Sequence, residues 1–156
     1  ETQNKLIYAV THQTAAELIV ARADAKKPNM GLTTWKGSVV RKGDIIVAKN
    51  YLQSEEIDSL NRLVDIFLTS AEERVKGRRD LTLQYWQQNV DNLLTFQEKD
   101  ILQNKGSISN AEMEAIVRHV YDEFDTNRKH YDAQLADAED LKMLEKLEKS
   151  ILEHNK

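Results

Sequence analysis

Val39–Val40–Arg41–Lys42–Gly43–Asp44–Ile45–Ile46–Val47 is the stretch on which the fold class turns. Two apolar β-branched runs around a Gly-Asp pair fit a hairpin. The same residues fit a short helix capped at Asp44 and running through Ala48 to Leu52. Each apolar run is only two or three residues long, and nothing else in the chain would complete a sheet. A helix over 44–52 is therefore the preferred reading, and the chain reads as all-α.

Just upstream, Pro28–Asn29–Met30–Gly31–Leu32–Thr33–Thr34–Trp35–Lys36–Gly37 is the segment least like a helix. It holds the only proline, two of the five glycines and one of the two tryptophans. Pro presets its own φ and Gly permits φ > 0, so the pair defines a backbone path. An indole in such a loop serves as a buried plug. Ordered loops are also where function tends to sit.

Around this block the chain reads as amphipathic helices. Leu6, Ile7 and Val10 have helical spacing. Thr14–Ala15–Ala16–Glu17 is a capping box, and its helix must stop before Pro28. Ser54 is read as the cap of the clearest helix, with acids in its first turn. Its stripe is Ile57, Leu60, Leu63, Val64, Phe67, Leu68 and Ala71, and it ends near Gly77. Thr82 caps a helix carrying Leu83, Trp86, Val90, Leu93 and Leu94. Ile101 and Leu102 suggest a further turn before Gly106.

Ser109, with Glu112 in the box position, opens the last segment. Met113, Ile116, Val117, Val120, Tyr121 and Phe124 form its apolar face. Tyr131, Leu135 and Ala138 prolong that face thinly, and Leu141, Leu144, Leu147 and Ile151 resume it. No Pro or Gly interrupts 107–156. A continuous helix there would be on the order of 65 Å long and would project from the domain. A bend at Asp125–Thr126–Asn127 is the alternative. The expected architecture is a bundle of about five to six helices with a long C-terminal helix. It divides into a helical core over 1–108 and an amphipathic helix or helical hairpin over 109–156.

At 156 residues the chain is one domain, or one domain plus a helical extension. It buries roughly two-thirds of its unfolded surface without a staple. It has no cysteine, which removes disulfides, thiolate metal sites and Cys nucleophiles together. That fits a reducing compartment, and a cytoplasmic location is expected. Apolar runs are too short to span a membrane, and no signal peptide is visible. The chain starts Glu1–Thr2–Gln3 without Met, so a fragment of a longer protein is expected.

Net charge is −4 but polarised. Residues 22–50 carry seven bases against two acids, and 107–156 carry twelve acids against seven bases. A basic loop region thus faces an acidic tail. Lys36, Arg41, Lys42 and Lys49, with Asn50 and Trp35 beside them, are the candidate phosphate or partner surface. Cations near aromatics suit a phosphate backbone and unstacked bases, although a pI of about 5.6 argues against a dedicated nucleic-acid binder. Solvated surface charge is the plainer reading of the same residues.

Nothing in the sequence asks for catalysis. No GxxxxGK[ST], GxGxxG or GxSxG motif is present. His119 and Glu123 share a helix face at i, i+4, yet no HExxH pattern or second ligand pair accompanies them. His12, His130 and His154 have no convincing local partner. No metal or cofactor is expected.

Longer phrases carry a resemblance. They are Asn4–Lys5–Leu6, Thr14–Ala15–Ala16–Glu17–Leu18–Ile19, Arg22–Ala23–Asp24, the run Lys27 to Thr33, Trp35–Lys36–Gly37 and Val47–Ala48–Lys49–Asn50–Tyr51–Leu52. Leu60–Asn61–Arg62–Leu63–Val64, Asp100–Ile101–Leu102 and Gly106–Ser107–Ile108–Ser109 follow in order. Together they resemble the C-terminal half of the bacterial RhuM virulence-protein family, densely over 4–109 and fading in the last helix. The resemblance implies an upstream segment of helix-turn-helix or phage-antirepressor type, and any DNA contact mainly through it. Some members are linked to Fic/Doc-type domains, but the HxFx motif and its Gly-rich anion loop are not in this chain. AMP transfer is therefore not carried over, and the family supplies no catalytic residue. The resulting expectation is a non-catalytic helical domain for self-association or partner contact, with a homodimer through the C-terminal helix. Phosphate binding by the 22–51 block and an enzyme site assembled only in three dimensions are the alternatives.

Overall fold

The computed structural model describes residues 2–154; Glu1, Asn155 and Lys156 lie outside the described residues. Five helices follow in order: α1 Thr2–Thr11, α2 Ala15–Arg22, α3 Ser54–Lys76, α4 Leu83–Phe96 and α5 Asn110–His154. Two short 3₁₀ turns, Pro28–Gly31 and Ala48–Tyr51, punctuate the long α2–α3 connection. Among the described residues there is no strand, so the chain is all-α.

Local sequence explains most of these boundaries. Thr14 and Glu17 form the reciprocal capping box of α2, with the Thr14 N–H donating to the Glu17 carboxylate at 2.8 Å. Ser109 and Glu112 do the same for α5. The Thr82 hydroxyl accepts from the Tyr85 N–H at the start of α4, and Gly77 ends α3. The cap of α3 is shifted by one residue from expectation: Ser54 is already helical. The N-cap is Gln53, whose N–H donates to Glu56. That Glu56 carboxylate also receives the Arg22 guanidinium, so the start of α3 is fixed from α2.

Two further readings are corrected. The 44–52 block is a turn followed by the short Ala48–Tyr51 3₁₀ turn, with no α-helix from Asp44. The Asp44 carboxylate accepts from Arg41 and Lys36 N–H groups, which lie before it in the chain, and so caps nothing downstream. The Asn50 carbonyl is taken by Thr33 and Thr34, which stops helix propagation. Ile101 and Leu102 form no turn either; 101–103 is irregular backbone, half-burying both side chains beside α4 and α1.

Two apolar clusters share α1 as their wall. Ile7 faces the first, with Leu18, Ile19, Met30, Ile45, Tyr51, Leu52, Met113 and Val117. Leu6 and Ala9 face the second, with Leu63, Phe67, Val90 and Leu94, where the Phe67 and Trp86 rings stand 4.6 Å apart. Leu68, Leu83 and Ile116, expected on buried faces, are exposed. No helix among the described residues is long and apolar enough to cross a membrane.

α5 is one helix of 45 residues, and the alternative bend at 125–127 does not occur. At 1.5 Å per residue it is about 67 Å long. Its first half packs on α2 and the loops through Met113 and Val117. From Lys129 to Ile151 every residue is exposed.

Candidate functional site

The α2–α3 connection is an ordered loop built on the core. Asn29, Met30 and Gly31 are all left-handed, at φ 52, 59 and 84°. Met30 is nonetheless fully buried. Its carbonyl accepts from the Asp24 N–H, closing the chain onto the end of α2. Gly31 has no alternative, since a Cβ there would strike the Arg22 carbonyl. The Thr33 and Thr34 N–H groups both donate to the Asn50 carbonyl, at 2.7 and 3.3 Å. The Asn50 side-chain amide donates to the Asp44 carbonyl at 2.9 Å. Tyr51 is fully buried with its hydroxyl on the Ile45 carbonyl, and burial pushes its phenol well above the usual range.

The six sequence-selected residues divide by what they touch. Trp35 is half-buried against the first cluster, and Asn50 is part of the loop's internal bonding. Lys42 lies 3.5 Å from Asp122 of α5 and 5.9 Å from the Tyr121 ring. Lys36, Arg41 and Lys49 are exposed and have no ion pair among the described residues. Of the sequence-selected cations, three thus stand unpaired among the described residues on a tied-down loop. Arg22 is consumed by a two-pronged ion pair with Glu56 at 2.6 Å, which draws the carboxyl below its ordinary range.

Partners far apart in sequence carry what the residue-by-residue reading missed. Glu17 caps α2 and also accepts from the Ser107 N–H and hydroxyl, both at 2.7 Å. These bonds draw its carboxyl down to about 2, the Ser107 backbone bond first. The segment they clamp borders a groove of about 820 Å³ between α1, α4 and the start of α5. Lys5 is held there by Asp91 at 2.7 Å. Among the described residues no group of three His, Cys, Asp or Glu could hold a metal ion.

The projecting half of α5 carries a run of exposed apolar side chains. Tyr131, Leu135, Leu141, Met143, Leu144, Leu147 and Ile151 are each 47–64% exposed. Residues 132–140 of this arm carry four acids and no base, whereas 142–149 carry Lys142, Lys146 and Lys149 against Glu145 and Glu148.

No curated protein and no solved structure matches the chain. The pattern of the Virulence protein RhuM family matches residues 1–132, which comprise the core and the first half of α5. That match spans most of the chain, agrees with the phrases quoted from the loop and α2, and shows that the chain belongs to the RhuM family of virulence proteins.

Proposed function

We propose that this chain is a non-catalytic assembly module of the RhuM family, working in the cytoplasm, which associates through the exposed half of α5. The observation that carries the reading is the arm itself. A helix that leaves its core with seven large apolar residues each about half exposed or more has an apolar surface beyond the scatter normal for a monomer. Such a helix gains stability when a partner covers the stripe. The absence of cysteine fits the reducing compartment. Where a DNA-binding segment precedes the module, association would bring two such segments together.

The test is substitution on the arm alone. Leu144→Glu with Leu147→Glu removes apolar surface at residues that touch no core cluster. The double variant is expected to keep its thermal midpoint as a diluted monomer and to lose association by light scattering. Equal mass for the variant and the unaltered chain at every concentration overturns the reading.

A further inference from the structure

We propose that the partner of the arm is a second copy of this chain, paired antiparallel about Leu141. The inference rests on reading the arm as an assembly surface, and adds its occupant and register.

The apolar residues spaced three or four apart along the arm are symmetric about Leu141; Met143, about 200° round the helix from Leu141, lies off this seam. Ala138 and Leu144 lie three residues to either side, Leu135 and Leu147 six, and Tyr131 and Ile151 ten. In antiparallel helices, residues equidistant from the two-fold axis stand opposite each other. Tyr131 therefore meets the partner's Ile151, Leu135 the partner's Leu147, and Ala138 the partner's Leu144. A parallel pair in register would also match the apolar residues, but it would set the acid-only stretch 132–140 against its own copy. Antiparallel pairing sets that stretch against the half bearing Lys142, Lys146 and Lys149. Asp140 falls opposite the partner's Lys142, and Asp132 within one residue of the partner's Lys149. Asp137 falls opposite the partner's Glu145, one residue from the partner's Lys146. Among the described residues none of these charges has an ion-pair partner within its own arm except Asp132, held by Arg128. Opposite charge across a helix pair sets orientation more than it adds affinity.

Geometry permits the arrangement. Arg128 is half-buried and every residue from Lys129 to Ile151 is exposed; Arg128 lies thirteen positions before Leu141. That is about 20 Å, so the two cores stand about 40 Å apart along the pair and do not collide. The apolar steps are four of three residues and two of four. Their mean of about 3.3 is below the 3.6 of a straight helix, so the stripe winds and the two helices wrap left-handed around each other.

The chain has no cysteine, so a single introduced one is the only labelling site. Gln134→Cys, Met143→Cys and Glu148→Cys, each spin-labelled in the full chain, give label-to-label distances by pulsed dipolar spectroscopy. Antiparallel pairing about Leu141 makes 143 the shortest. Positions 134 and 148, each seven residues from the axis, are equal and longer, the axial separation growing by about 3 Å per residue. Equal short distances at all three positions would show parallel pairing and overturn this register while leaving the assembly reading intact. No dipolar coupling at concentrations well above micromolar overturns both.

Discussion

Glu17 accepts two hydrogen bonds from Ser107 across ninety residues of sequence, both at 2.7 Å. One carboxylate thereby caps α2 and fastens the connection that leads into α5. Ser109 opens α5 two residues later.

This junction makes stability depend on acid pH. The Glu17 carboxyl falls from an ordinary 4.5 to about 2 on folding. The native state therefore binds fewer protons than the unfolded state between those values, and stability rises with pH there. The stabilisation is complete above about 4.5 and is lost as pH falls towards 2. Glu17→Gln should lower the thermal midpoint at pH 7. It should also flatten the difference from the unaltered chain as pH drops through that window, measured by circular dichroism.

Gly106 lies against Thr14, at φ +83°, where a Cβ would come within 2.6 Å of the Thr14 methyl. Gly106→Ala should cost about 1–3 kcal/mol, from strain at a left-handed position. Gly43 has nothing within 4 Å, so Gly43→Ala should stay within about 0.5 kcal/mol. Chemical denaturation of the two variants separates the effects.

Arg22 and Glu56 join the end of α2 to the start of α3, with the Arg22 guanidinium also donating to the Tyr51 carbonyl. Their side chains are 25% and 20% exposed, so solvent weakens the pair. A double-mutant cycle with Arg22→Met and Glu56→Gln should give a coupling of about 1–2 kcal/mol. Additive effects would mean that the two residues act independently.

Asn50 holds the basic loop from within: its backbone carbonyl accepts from the Thr33 and Thr34 N–H groups, and its side chain donates to the Asp44 carbonyl and accepts from the Thr34 hydroxyl. Asn50→Ala keeps the carbonyl and loses the side-chain bonds, and should destabilise by about 1 kcal/mol. Changing Lys36, Arg41 and Lys49 together to Gln should leave the unfolding midpoint nearly unchanged, since these side chains are exposed and unpaired among the described residues. A large loss of stability from the triple variant would contradict this division of roles.

What could be read in the sequence was what neighbours decide. The Thr14–Glu17 and Ser109–Glu112 boxes, the Gly77 stop and the unbroken run after Ser109 depend on residues within four positions of each other. The 44–52 segment failed that logic because Asp44 and Asn50 answer to Lys36, Thr33 and Thr34, in an earlier part of the loop. Trp35 was recognisable as a loop residue that packs inward. The ion pair of Lys42 with Asp122 was not, since eighty residues separate them. The stripe on α5 was visible as a pattern, but its exposure needed the fold, which ends its contacts near Arg128.

The mass of the unaltered chain in solution, by sedimentation equilibrium from low to high micromolar concentration, tests the central claim most directly. The assembly reading requires a reversible rise from 18.0 kDa towards twice that mass. A mass of 18.0 kDa held across the whole range would contradict it.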